Sequence, residues 1–170
     1  VLRVQPAHPE VPRLVRFIDE GNQLASVGYD GVQIWDTVSG AFVNGIATGI
    51  ADSADFFDVE VLASGDVIWV YRLPDATRLA VARVNIAQPS TPAWNADAGE
   101  AGAVSLAVSA DGSRVVLGRD NGLVTVWDAV TGESITTTQI PMPLVNVALS
   151  ADGRILLISN ATSVFAVQVP

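Results

Sequence analysis

The hydrophobic residues of this chain fall into short runs of four to six, which glycine, aspartate, asparagine or proline interrupt. Runs of this length that are rich in valine, leucine and isoleucine are typical of β-strands. Several runs are apolar at every position, including 115–117 and 155–158. Strands that are covered on both faces need no alternation of polar and apolar residues. The pattern therefore predicts an all-β fold in which sheets lie between other sheets.

A turn pattern recurs between these runs, and each copy contains a glycine. The four glycines are Gly21, Gly65, Gly112 and Gly153. Because glycine tolerates the positive φ of a tight hairpin, each copy predicts two antiparallel strands joined by a turn. The copies are 44, 47 and 41 residues apart, close to the ~40–45 residues expected of a unit of four strands.

A second pattern has a tryptophan followed by an aspartate at its centre. It occurs as VQIWDTVSG at 32–40 and as VTVWDAVTG at 124–132. Both copies read apolar-x-apolar-Trp-Asp-x-Val-(Ser/Thr)-Gly. A match of this length between two segments indicates an internal repeat.

These segments resemble WD40 repeats, with a Trp-Asp dipeptide at the end of the third strand and a Ser-x-Asp-Gly turn between the first two. The resemblance covers essentially the whole chain and is strongest in the first and third repeats. The fourth repeat keeps the turn at 150–153 but has Val167-Gln168 in place of Trp-Asp, and the second is the most divergent. The resemblance implies a β-propeller of four-stranded antiparallel blades, with about four blades in this chain.

The blades are expected at about 13–46, 55–95, 103–138 and 143–169. The last of these contains only three strands, so the alternating segment 1–5 is expected to close it as a fourth strand, which would remove an exposed edge. Three arrangements satisfy this count. The chain could close as a four-bladed ring, two copies could form a homodimer that completes an eight-bladed ring, or the chain could be a piece of a longer propeller.

Charge and composition narrow the classes of partner. The chain has 18 acidic and nine basic residues and a net charge of −9, which would repel a phosphate backbone, so nucleic acid is not an expected partner. No apolar run approaches the ~18 residues of a membrane helix, so no membrane partner is expected. Nothing resembles a secretory signal, which favours a cytoplasmic location, although the chain begins at Val1 and its N-terminus could be missing. The absence of cysteine excludes disulfides and thiolate chemistry.

His8 is the only histidine. The resemblance to WD40 repeats implies that it joins a hydrogen-bonded network with Ser26, Asp30 and Trp35. Such a network is expected to be structural, with its buried polar members satisfying one another. No nucleophile stands at a recognisable spacing from this histidine, so no catalytic residue is predicted.

Two other features invite a functional interpretation. Trp94 lies in the Pro-, Ala- and Gly-rich segment 88–102, and it could be an exposed partner contact or could pack against the second blade from an irregular outer strand. Asp52, Asp55 and Asp58 are three residues apart, which is not the alternate-position pattern of a calcium loop. No metal site and no cofactor are therefore predicted.

The expected function is a non-catalytic protein–protein interaction scaffold or sensor module, within a larger signalling protein or assembly. Rigid strands that carry variable loops suit this role. One alternative is a small-ligand, ion-binding or enzymatic site in the central channel of a propeller. Another alternative is a propeller fragment with no independent activity.

Overall fold

A computed structural model describes residues 8, 12, 14–28, 30–47, 56–73, 77–86, 88, 92–100, 102 and 104–170. In these residues the chain forms four antiparallel sheets, in each of which strands adjacent in sequence are paired. The first sheet contains β1 (Leu14–Ile18), β2 (Gln23–Gly28), β3 (Gly31–Asp36) and β4 (Phe42–Ala47). The second contains β5 (Phe56–Val61), β6 (Val67–Arg72), β7 (Arg78–Val84) and β8 (Trp94–Glu100). The third contains β9 (Val104–Val108), β10 (Arg114–Arg119), β11 (Leu123–Asp128) and β12 (Ser134–Gln139). The fourth contains β13 (Asn146–Leu149), β14 (Ile155–Ser159) and β15 (Val164–Gln168).

The all-β, repeat-like architecture agrees with the sequence pattern, but the prediction of a WD40-type β-propeller is wrong. The described strands form four separate sheets, and no sheet among them closes on itself. Turn chemistry and periodicity determine which neighbouring strands pair, whereas ring closure depends on contacts between the first and last sheets, which a local pattern does not specify. The eight-bladed ring and the central channel depended on the propeller and are not retained. The expected closing strand at 1–5 lies outside the described residues.

Three hydrophobic clusters join consecutive sheets. The first cluster packs Ile18, Ala25 and Ile34 of the first sheet against Val61 and Val67 of the second. The second cluster lies between the second and third sheets, and the third cluster between the third and fourth. Because side chains alternate across a strand, each inner sheet contributes one face to each of two clusters.

Strand β6 shows why the apolar runs lack alternation. Trp69 belongs to the cluster with the first sheet, whereas its neighbours Ile68 and Val70 belong to the cluster with the third sheet and are completely buried. Both faces of the strand are therefore covered, as the continuous apolar run predicts.

Backbone and side-chain hydrogen bonds also cross between sheets. At the β1–β2 turn, the Asp19 amide donates to the Ala63 carbonyl of the second sheet at 3.3 Å. Between the third and fourth sheets, the Asp111 amide donates to the Ala151 carbonyl at 2.9 Å. The Asp58 carboxylate accepts from the Leu106 amide at 2.9 Å. These polar contacts fix the positions of the sheets in addition to the non-directional apolar packing. No helix in the described residues is long and apolar enough to span a membrane.

Candidate functional site

The aspartate of each Trp-Asp pair holds the turn that follows its strand. The Asp36 carboxylate accepts from the Val38 amide at 3.1 Å and from the Ser39 amide at 2.7 Å. In the third sheet, the Asp128 carboxylate accepts from the Val130 and Thr131 amides at 2.9 and 2.8 Å. This is the local turn chemistry of a short acidic side chain, and it explains the spacing of the repeated pattern.

The Ser-x-Asp-Gly turns are held in a related way. In the third sheet, the Ser109 hydroxyl donates to the Asp111 carboxylate at 2.6 Å. In the fourth, the Ser150 hydroxyl donates to the Asp152 carboxylate at 2.7 Å. Gly112 has a φ of 69°, the left-handed conformation that favours glycine.

These two kinds of turn lie at the same end of the sheets, which we call the turn end. In an antiparallel sheet, the turns after the first and third strands fall at one end because successive strands reverse direction. The turn end presents two large apolar side chains to solvent: Val38 is 87 % exposed and Val130 is 67 % exposed. Because the aspartates hold both turns, these valines are presented on a preorganised backbone.

A cleft of about 330 Å³ opens at the turn end, and the first, second and third sheets all contribute to its lining. Its lining combines two arginines, polar turn residues and apolar side chains: Arg16, Leu62, Ala63, Ser64, Arg83, Val108, Ser109, Ala110, Asp111, Gly112 and Val130. Val130 is the most exposed large apolar residue in this set. The cleft is therefore a concave surface that carries one exposed apolar side chain.

Arg83 joins the second and third sheets at the cleft. Its Nη2 donates to Asp66 Oδ2 at 2.5 Å and its Nε donates to the same oxygen at 3.0 Å. Its Nη1 donates to the Ala129 carbonyl of the third sheet at 2.8 Å. Arg16 is paired with Glu60 at 2.8 Å. Both arginines of the cleft are thus paired with carboxylates, and the Asp111 carboxylate is engaged by Ser109 and Ser113 of its own turn, which leaves apolar side chains and polar turn groups as the main binding chemistry.

The turns lower the pKa of their aspartates. Hydrogen bonds from Ser39 hold the pKa of Asp36 below its ordinary value near 3.8, and hydrogen bonds from Thr131 do the same for Asp128. Hydrogen bonds from Ser109 and Ser150 lower the pKa of Asp111 and Asp152, respectively. At neutral pH the turn end therefore carries four ionised carboxylates that are engaged in their own turns.

We expect acid to destabilise the protein through these turns. A carboxyl whose pKa is lower in the folded than in the unfolded state stabilises the fold at pH values above its pKa in the unfolded state, which is near 3.8. That stability is lost as the pH falls through the folded pKa. The free energy of unfolding should therefore decrease from about pH 5 to about pH 2, and less steeply in Asp36→Asn/Asp128→Asn. Burial raises the pKa of Glu60, which opposes this trend and is common to both proteins. Urea unfolding at each pH measures the effect, and identical slopes would contradict it.

The structure brings together all four residues of the expected network. His8 Nδ1 lies 2.5 Å from Asp30 Oδ1, and His8 Nε2 lies 2.9 Å from Ser26 Oγ. Trp35 Nε1 donates to Ser26 Oγ at 2.9 Å. The network lies on the face of the first sheet that is turned away from the second sheet. Gly28 leaves room for it, since a Cβ there would lie 2.6 Å from both His8 and Asp30.

Ser26, His8 and Asp30 have the connectivity of a nucleophile, a base and an orienting carboxylate, but the serine is enclosed. Ser26 is only 4 % exposed, and the His8 side chain is 1 % exposed. The Ser26 oxygen accepts from Trp35 Nε1 at 2.9 Å and lies 2.9 Å from His8 Nε2, so it already has two buried polar partners. A buried set of side chains that bond to one another is typical of a structural hydrogen-bond network, which is the role that the sequence suggested.

Trp94 is not an exposed partner contact in this structure, which corrects that expectation. It begins strand β8 and is 8 % exposed. Its Nε1 donates to the Ala129 carbonyl of the third sheet at 2.9 Å. Its ring packs on Gly132, where a Cβ would lie 2.7 Å from the ring atoms. The alternative expectation, that Trp94 lies in an outer strand, agrees with its position in β8. Its ring contacts the third sheet, where the Ala129 carbonyl supplies the acceptor that a buried indole N–H needs.

The acidic segment 52–58 does not form a metal site in the part that is described. Asp58 uses its two oxygens for the Val59 and Leu106 amides, while Asp52 and Asp55 lie outside the described residues. No group of three metal-ligating side chains occurs in the described part of the chain.

Sequence reasoning missed the cleft and the exposed valines of the turn end. A signal was present, because both copies of the Trp-Asp pattern have valine at a turn position, where polar residues and glycine are usual. An apolar residue at the same position of two turns indicates a binding surface. No comparable signal marks Arg83 and Asp66, which meet only when β6 and β7 pair.

Comparisons with known proteins bear on the fold alone. No protein-family model and no curated protein sequence match the chain. Among solved structures, the crystal structure of the computationally designed Ika4 protein is similar, with a TM-score of 0.72 and 16 % identity. The match covers 99 % of this chain and 96 % of that chain. The likeness supports the all-β arrangement of sheets and does not show a propeller. The resemblance to WD40 repeats stays an interpretation of the motifs.

Proposed function

We propose that this chain is a non-catalytic protein-interaction scaffold that binds a partner protein at the turn end. The observation that carries the proposal is the cleft at the turn end, with Val130 exposed in its lining. Contiguous apolar and concave surface is typical of binding sites. Because hydrogen bonds to Asp128 hold the turn that carries Val130, little conformational entropy is lost on binding.

The proposal assigns no catalytic step to this chain. The only histidine is enclosed with Ser26, and both arginines of the cleft are paired with carboxylates. A scaffold needs none of these groups to react. A place within a larger signalling protein, and a role as a sensor, remain predictions that accompany this proposal.

A displayed library of short peptides tests the binding surface. We expect selection on the immobilised protein to enrich peptides with apolar side chains. Val130→Asp should weaken their binding by about tenfold or more, because a charge would be buried at the contact. Ala161→Asp introduces the same charge at an exposed position in the β14–β15 turn, at the opposite end of the sheets, and should leave binding unchanged. Isothermal titration of the selected peptides gives the dissociation constants. No enrichment, or equal effects of the two substitutions, would refute the proposal.

A further inference from the structure

The first and fourth sheets each have one face that no other sheet covers in the described part of the chain. On the first sheet this face carries the buried network of His8, Ser26 and Trp35, and it also carries Val15 and Phe17, which are 56 % and 67 % exposed. On the fourth sheet it carries Ile155 and Leu157, which are 47 % and 42 % exposed. The intervening residue Leu156 points to the other face and is buried in the cluster with the third sheet. Large apolar side chains that remain exposed on a sheet face indicate an interaction surface.

Strand registers show what the free face of the first sheet is equivalent to. Phe17 pairs with Leu24 across the first turn. The pairs in the same position of the other three sheets are Val61 with Val67, Val108 with Val115, and Leu149 with Leu156. In all three sheets this pair lies in the cluster with the preceding sheet. The free face of the first sheet is therefore the face that elsewhere receives a preceding sheet.

The strand registers also show which face of the other sheets corresponds to the free face of the fourth sheet. Leu157 pairs with Ala148, and the residues at the position of Leu157 in the first three sheets are Ala25, Ile68 and Val116. Each of these three packs against the following sheet and is completely buried. The free face of the fourth sheet is therefore the face that elsewhere receives a following sheet.

We infer that two copies of this chain associate head to tail, with the fourth sheet of one copy packed on the first sheet of the other. The two free faces are the two halves of a junction that the chain already makes three times. In each of those junctions a face like that of the fourth sheet meets a face like that of the first. The contact between copies continues this series with the same pairing of faces, and it is independent of the turn end.

The long-range charge opposes this association and gives it a recognisable salt dependence. Each copy carries a net charge of −9, so two copies repel each other before the apolar faces meet. Salt screens this repulsion. Association should therefore strengthen as the ionic strength is raised, whereas a contact made by ion pairs would weaken.

Sedimentation velocity over a wide range of protein concentration tests the inference. The unmodified chain should show species above the monomer mass of 17.8 kDa. Phe17→Arg and Leu157→Arg should each weaken association by about tenfold or more, because each buries a charge in the contact. Val38→Arg is the matched control, since Val38 is 87 % exposed and lies in a turn away from both faces. It should associate like the unmodified chain. Circular dichroism checks that all variants keep the β fold.

Mixing the two variants separates this arrangement from its alternatives. Phe17→Arg retains an intact fourth-sheet face, and Leu157→Arg retains an intact first-sheet face. A head-to-tail contact predicts that each variant alone associates about tenfold or more weakly than the unmodified chain. It also predicts that the mixture forms a pair as tightly as the unmodified chain does, because one intact face of each kind is then present. Association of like faces predicts instead that one variant alone still associates as tightly as the unmodified chain. Three outcomes would overturn the inference: an unmodified chain that is monomeric at every concentration, a variant that alone associates as tightly as the unmodified chain, or a mixture that associates no more tightly than either variant alone.

Discussion

Gly122→Ala is expected to lower the free energy of unfolding by about 3 kcal/mol or more, from backbone strain and overpacking together. Gly122 has a φ of 87°, which alanine adopts only under strain. An alanine Cβ would also lie 2.1 Å from the Ile140 carbonyl oxygen and 2.7 Å from that of Met142. These carbonyls belong to the connection from β12 to the fourth sheet, so relief of the clash would displace that connection. Urea unfolding followed by circular dichroism measures the loss.

Gly112→Ala is the matched control. Gly112 also has a positive φ, of 69°, but a Cβ there would meet no atom within 4 Å. We expect a loss of about 1 kcal/mol from backbone strain alone. The difference between the two variants isolates the contact with the Ile140 and Met142 carbonyls. Equal losses would show that this contact does not resist a side chain at position 122.

Ser26→Ala is expected to lower the free energy of unfolding by about 2 kcal/mol. The substitution removes the acceptor of the Trp35 Nε1–H and the partner of His8 Nε2. Both side chains are buried, so each loses a hydrogen bond that water cannot readily replace. Ser134→Ala, at an exposed position in β12, should change the stability by less than about 0.5 kcal/mol.

A double-mutant cycle tests whether the loss comes from the network. If Trp35 and Ser26 act together, Ser26→Ala should cost less in a Trp35→Phe background, because that background has no indole N–H left to satisfy. The free energies of unfolding of the four proteins give the coupling. A coupling of zero would mean that Ser26 contributes through packing alone.

The sequence predicted the strands and turns well, because their determinants are local. The Trp-Asp pattern placed the third strands of the first and third sheets, and the structure shows that Asp36 and Asp128 hold the turns that follow. The contacts between His8, Ser26 and Trp35 were expected from the resemblance of the motifs to WD40 repeats. In each case the interacting groups lie within about one repeat, so a pattern of that length contains the information.

Long-range contacts account for the errors. Trp94 lies in a segment whose composition resembles a loop, yet its N–H reaches Ala129, 35 residues further along the chain. No local signal connects these residues. The expected propeller failed for a related reason, since the repeats specify each sheet and its successor but not a contact between the first and last sheets. The cleft was equally hidden, because its lining comes from three sheets.

Each sheet is built from one uninterrupted segment of the chain. Each hydrophobic cluster joins one sheet to the next sheet along the chain. Duplication of a segment in the gene would therefore add a complete sheet together with a junction of the existing kind, and would leave the other junctions intact. Loss of a segment would remove one junction and bring two compatible faces together. A chain organised in this way can change its length by whole units without a new core, and the stability should grow with the number of units.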